Sequence, residues 1–128
     1  MENAIIRAAT KEDYKEVMDL YGLFVENPKR YKNYNNDSYE KIIEDSNAFL
    51  EVAVFENKII GFIMYSIRYV VRYPKPIIEV EEFFVLEEYR RMKLGKKFMD
   101  RVFDFAKEHA ETLAQVQGIL SSRNKRNL

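Results

Sequence analysis

The stretch from Pro76 to Lys107, PIIEVEEFFVLEEYRRMKLGKKFMDRVFDFAK, constrains the fold more than any other, because an apolar run passes straight into a basic turn and then into an amphipathic helix. Ile77, Ile78, Val80, Phe83, Phe84, Val85 and Leu86 are too apolar on both faces for a solvated edge strand, so the run reads as a central strand. Glu79, Glu81 and Glu82 interrupt it. Arg90, Arg91, Lys93, Lys96 and Lys97 then put five cations into eight residues, and Leu94, Phe98, Val102, Phe105, Ala106 and Ala110 recur at helical spacing. A helix starting near Arg91 aims unpaired backbone N–H groups and its positive dipole end at the carboxyl end of the strand. Such a junction favours a phosphate or pyrophosphate.

The chain of 128 residues is 47% hydrophobic, enough for one domain with a real core spanning 1–128. Its net charge is zero, so no global field draws it to nucleic acid or to an anionic membrane. No apolar run reaches the length of a membrane span, and the charged start MENAIIRAATKED lacks the core of a signal peptide. A cytoplasmic location is the expectation. The absence of cysteine excludes disulfides, thiolate metal sites and a cysteine nucleophile, and with it an acyl-enzyme thioester. The single His109 is far short of a metal constellation, and no metal is expected.

Taken in order, Ala4 to Ala9 reads as a short strand, and Thr10 offers an N-cap hydroxyl ahead of Asp13. Tyr14, Val17, Met18, Tyr21, Phe24 and Val25 define one buried helical face, ended by Asn27-Pro28. Lys29 to Asp37 reads as a loop carrying Tyr31 and Tyr34, followed by a short helix to about Asp45 with Tyr39, Ile42 and Ile43 on its apolar face. Phe49–Phe55 and Ile59–Val71 form a hairpin around Glu56-Asn57-Lys58, in which Gly61 marks a bulge or a close backbone contact. Pro74 and Pro76 force a loop before the Ile77 strand. Thr112 to Leu120 is a weak further strand before a polar tail. The order implies an α+β domain.

These residues resemble the GNAT acetyltransferase superfamily, which binds acetyl-CoA on such a strand, turn and helix. Arg90 fills the first place of the family's turn pattern and Gly95 its last, while Lys93 stands where a Gly is usual. EEFFVLEEYRR is similar to the family's fourth strand, and IIRAATKEDYKEVMDLY to its opening strand and helix. The resemblance implies a mixed, mostly antiparallel sheet flanked by helices, here lacking the usual last helix and strands. It implies acetyl-CoA as cosubstrate, its pyrophosphate held by backbone from Arg91 through Met92, Lys93, Leu94 and Gly95 to Lys96, with Arg90 and Lys96 adding charge. Phe84, Val85 and Leu86 line the same site, with backbone N–H near Val85 to Leu86 meeting the thioester oxygen, and Asn124 stands near the family's Asn after the fifth strand. The family's Tyr that protonates the thiolate has no counterpart here, so no general acid is carried over.

Acetyl transfer needs a neutral acceptor, and deprotonating a lysine-like amine costs roughly 4–5 kcal/mol at pH 7. A carboxylate acting directly or through water is the usual remedy. Glu82 or Glu81 fits this role, since neighbouring hydrophobes raise a carboxylate's pKa. Alternation puts the two on opposite faces and Glu79 on the face of Glu81, but a bulge could reverse which one meets the cleft. Cross-strand pairing of all three with Arg68 or Arg72 is the structural alternative. The expected function is N-acetylation of an amine on a small molecule or protein. A non-catalytic module of the same fold, binding CoA or a protein, is the second reading. Nucleic-acid binding through the basic turn is argued against by zero net charge and by Glu87 and Glu88. The weak last strand, together with apolar surface on the Phe98 to Phe105 helix that no further element would cover, leads to the expectation of a homodimer through the C-terminal region.

Overall fold

The computed structural model describes residues 3–24, 36–109 and 116–118. Five strands, β1 (Ile5–Ala8), β2 (Ala48–Phe55), β3 (Lys58–Arg68), β4 (Ile77–Val85) and β5 (Val116–Gly118), form one sheet in sequence order. The first four pair antiparallel and β5 pairs parallel to β4, as expected of a mixed, mostly antiparallel α+β sheet. Three α-helices, α1 (Tyr14–Phe24), α2 (Asn36–Glu44) and α3 (Leu94–Glu108), flank it. The Asn27-Pro28 stop, Tyr31, Tyr34, most of the weak last strand and Asn124 lie outside the described residues.

The Ile77 run, β4, is an interior strand as expected, with β3 on one side and β5 on the other; β3 pairs along its length with β2 and β4, whereas β5 meets β4 only from Ile78 to Val80. The β2–β3 loop has two residues, Glu56 and Asn57, both with positive φ (50° and 63°). That conformation matches the right-handed strand twist and makes a tight hairpin. Ile60 has no partner opposite it, since Ala53 faces Gly61 and Val54 faces Ile59. Gly61 is required there, because a Cβ would come 2.9 Å from the Phe84 carbonyl oxygen. Both expected meanings of this glycine, bulge and close backbone approach, therefore coincide.

Side chains sort by register. Phe49 stacks on Tyr65 and meets Phe105 of α3, and Phe83 sets its ring edge-on to Phe98. Tyr21 of α1 stacks over Phe62 on the opposite face. Leu94, Phe98 and Val102 are fully buried. The apolar surface of the Phe98 to Phe105 helix is thus covered by this chain's own sheet, which overturns that premise for a homodimer; of its large apolar side chains only Phe103 stands markedly exposed, at 47%. Two ion pairs brace the periphery. Arg101 of α3 grips Glu51 of β2 through two 2.9 Å hydrogen bonds, and Arg7 holds Asp13 at 2.7 and 3.0 Å. Thr10 is the N-cap, as expected, and the Asp13 carboxylate at the third position reaches back to accept the Thr10 N–H and hydroxyl, the reciprocal contact of a capping box. The Arg7 guanidinium beside it, opposed by burial, holds Asp13 below the usual carboxylate range.

Candidate active site

The chemistry-bearing residues meet where β4 changes its pairing. Met64 faces Glu82 and Tyr65 faces Val80, which leaves Glu81 as the extra residue of a β-bulge. Because Met64 and Ser66 share a face of β3, their partners Glu82 and Glu79 share a face of β4. The expected grouping of Glu79 with Glu81 holds, since the Glu81 carboxylate meets Ser66 and Arg68 on that same face of β3; the extra residue brings Glu82 to it as well, where simple alternation had put Glu81 and Glu82 on opposite faces. β5 follows β4 only up to Val80, so beyond the bulge the outer edge of β4 is open among the described residues.

That edge presents backbone groups in a definite order. The Leu86 N–H donates to the Ile60 carbonyl at 2.9 Å, so Leu86 and Phe84 direct their backbone toward β3 and the intervening Val85 and Phe83 direct theirs away from it. Leu86 is therefore not available to the thioester oxygen, as the resemblance had implied; the N–H groups of Val85 and Phe83 face the opening instead. The Val85 carbonyl, pointing the same way, accepts a 3.0 Å hydrogen bond from Arg90 Nε, while the Arg90 guanidinium lies 5.8 Å from the centre of the Phe84 ring. Arg90 thus braces the strand end in addition to carrying charge.

The helix does not start near Arg91. Glu87–Met92 forms a 3-10 helix, and Lys93 then adopts the left-handed conformation (φ 60°, ψ 33°), which interrupts the spiral before α3 begins at Leu94. The Lys93 N–H is directed to the Arg90 carbonyl at 3.4 Å. The donors of the first α-helical turn belong to Leu94, Gly95 and Lys96, and no side chain caps them. Arg91 and Met92 consequently lie in the preceding turn, with Met92 set against the core, rather than among the helix-start donors. Lys93 occupies by strain the conformation that glycine adopts freely, which is the physical meaning of its departure from the usual residue. Gly95 allows another close approach: a Cβ there would lie 3.2 Å from Cζ of Phe83. Lys96 reaches Asp100 at 3.0 Å on the surface.

On the other face of the sheet a cavity of about 250 Å³ opens between the helices and β4. α1 contributes Met18 and Tyr21, α2 contributes Tyr39 and Ile42, and the sheet contributes Phe62, Met64 and Glu82. The Tyr21 hydroxyl donates to Oε2 of Glu82. Burial raises the pKa of Glu82, opposed by the Tyr21 hydrogen bond and reinforced by the neighbouring Glu81 charge. Glu81 instead accepts the Ser66 hydroxyl at 3.1 Å and lies 4.0 Å from Arg68. Cross-strand pairing with arginine therefore describes Glu81 and not Glu82, while Arg72 lies against the ring of Tyr73. Glu79 keeps one fully buried carboxyl oxygen without a hydrogen-bond partner. Tyr39 spends its hydroxyl on the Thr10 carbonyl at 2.6 Å, and burial pushes its pKa up to about 12. Sequence reasoning assigned Tyr21 only to a buried helix face; the one available signal was that a buried Tyr hydroxyl needs a partner.

Comparison with known proteins gives a consistent result. Residues 8–125 match the Acetyltransferase (GNAT) family. Among solved structures, the fold is similar to aminoglycoside antibiotic 6'-N-acetyltransferase AAC(6')-Ih from Acinetobacter baumannii, at TM-score 0.73 and 20% identity over 91% of this chain and 78% of that one. It is similar to a ribosomal-protein-alanine N-acetyltransferase from Brucella melitensis biovar Abortus 2308, at TM-score 0.72 and 16% identity over 91% and 79% of the two chains. A tetramutant of the BH1408 protein from Bacillus halodurans reaches TM-score 0.77 at 19% identity, over 96% and 86%. No curated protein matches by sequence.

Proposed function

The chain belongs to the GNAT acetyltransferase family, whose members use acetyl-CoA as cosubstrate, and from that premise we propose that it transfers an acetyl group from acetyl-CoA to an amine of a small molecule or a protein. The observation that carries this reading is the bulge at Glu81, where an open strand edge and a half-buried carboxylate lie on the strand that leads to the helix start. The first-turn N–H groups of Leu94, Gly95 and Lys96 offer donors to a pyrophosphate, and Arg90, Arg91, Lys93 and Lys96 place positive charge along the same stretch of chain. The outward N–H groups of Phe83 and Val85 suit the thioester arm and its carbonyl oxygen. Glu82, half-buried and raised in pKa, takes the proton of the acceptor ammonium. Glu81, held by Ser66 and near Arg68, is the lesser candidate. By their names, the solved relatives act on an aminoglycoside and on a ribosomal-protein alanine, so small-molecule and protein amines both belong to the reading.

A nucleic-acid or membrane partner is left out of this reading: the net charge is zero, and among the described residues no helix is long and apolar enough to cross a membrane. A cytoplasmic site of action accompanies the proposal. So does pairing of two copies through residues 112–128, supported by β5 lying at the outside of the sheet among the described residues, where its far edge offers unpaired groups. Sedimentation at several concentrations tests that pairing, with a dimer expected and a monomer contradicting it.

The function is tested by titrating acetyl-CoA calorimetrically and following thiol release with amines. Saturable heat and thiol release support the transferase. Heat without turnover of any amine points to the non-catalytic module, and absence of both overturns the reading.

A further inference from the structure

The cavity beside Glu82 has a chemistry narrower than the general reaction requires. Met18, Ile42, Phe62 and Met64 line it with hydrocarbon and thioether surface. Its tyrosine hydroxyls are engaged, Tyr21 with Glu82 and Tyr39 with the Thr10 carbonyl. Ser38 on the rim is the other polar lining residue, and Glu82 is the only charged one among the described residues that line the cavity. Tyr21 occupies Oε2 of Glu82, and Oε1 has no hydrogen-bond partner among the described residues. The volume of about 250 Å³ lies below the range of about 300–1,000 Å³ usual for drug-sized ligands.

We infer that the acceptor is a primary amine carried on a compact apolar body, an arylalkyl- or branched alkyl-amine, with its nitrogen at Glu82 and its hydrocarbon between α1, α2 and β3. This deepens the acetyltransferase reading and rests on it. A hydroxyl-rich sugar amine would bring polar groups against a described lining that is mostly hydrocarbon and thioether, and each unpaired group costs affinity. A polyamine would bring a second cation to a cavity whose described lining has one carboxylate. The apolar body gains from burial instead.

The reaction balances within this arrangement. The ammonium gives one proton to Glu82, the freed lone pair attacks the thioester carbonyl, the C–N bond forms and the C–S bond breaks. The nitrogen sheds its second proton, the thiolate takes one up, and the products are the amide and the free thiol. Glu82 returns its proton to solvent.

The test compares 2-phenethylamine, glucosamine and spermidine as acceptors for the full chain, by thiol release, with calorimetry of each amine alone. The expected kcat/KM for phenethylamine exceeds those of the other two at least tenfold. Ile42→Trp, which fills the cavity from its partly buried rim, lowers it at least tenfold while the heat of acetyl-CoA binding is kept; Met18→Trp repeats the test from α1. Equal or better turnover of glucosamine or spermidine overturns the inference and leaves acetyl transfer standing. Where no amine turns over and acetyl-CoA gives no heat, the acetyltransferase reading falls, and the cavity is judged on the amine titration alone. Saturable phenethylamine binding that is lost in both Trp variants then supports the assignment, and its absence overturns it.

Discussion

The Tyr21 hydroxyl of α1 donates a hydrogen bond to the Glu82 carboxylate of β4, joining residues 61 apart in sequence at the wall of the cavity. Two opposing effects meet on that carboxylate: burial disfavours its charge, and the hydroxyl favours it. Tyr21 is thus a positioning residue that limits how far the pKa of Glu82 rises.

Tyr21→Phe should move the acidic limb of the kcat/KM profile to higher pH. Removing a donor to the ionised form leaves burial unopposed, so Glu82 holds its proton to a higher pH and becomes a working base later. A profile measured from pH 5 to 9 with any accepted amine checks the direction. An unmoved or lowered limb contradicts it.

Lys93→Gly should stabilise the fold by about 1 kcal/mol. Lys93 pays for its left-handed backbone with no capping bond from its side chain; the strain of roughly 1–2 kcal/mol is relieved by glycine, less the entropy glycine adds to the unfolded chain. Urea denaturation of both proteins reads the difference, and a less stable variant would show that the lysine side chain makes up for its backbone.

Gly95 separates two effects that one substitution would confuse. Gly95→Ala introduces the 3.2 Å contact with Phe83 and no charge, whereas Gly95→Asp introduces both the contact and an anion at the helix start. Acetyl-CoA affinity should fall at least tenfold further in the Asp variant than in the Ala variant. Equal affinities in calorimetry would remove the helix start from the pyrophosphate site.

What was legible in the sequence follows from what local patterns encode. The run from Ile77 into a basic turn and a helix required only periodicity, and Gly61 announced its close contact because no other residue lacks a Cβ. The bulge was not legible: the doublet Glu81-Glu82 reads the same whether or not one residue lacks a partner, so the choice of glutamate waited on the register with β3. The start of α3 was misplaced because Arg90 to Lys93 suits a helix by composition, while the left-handed Lys93 that divides the two helices is a backbone state. That Tyr21 meets Glu82 depends on how α1 lies across the sheet, which no local spacing specifies.

The central claim is that Glu82 takes the acceptor's proton, and the pH dependence of thiol release by Glu82→Gln tests it most directly. Burial raises the pKa of Glu82 in the folded protein, so its contribution to stability is full below the unfolded value and is lost as pH rises through the folded value. The neutral Gln variant should accordingly be at least as stable as the parent at neutral pH, and lost activity would not reflect unfolding. The account predicts a rate lowered at least a hundredfold at pH 7 that recovers toward the parent's as pH approaches the pKa of the amine, where free amine no longer needs a base. A variant that keeps the parent's rate and pH profile would contradict it.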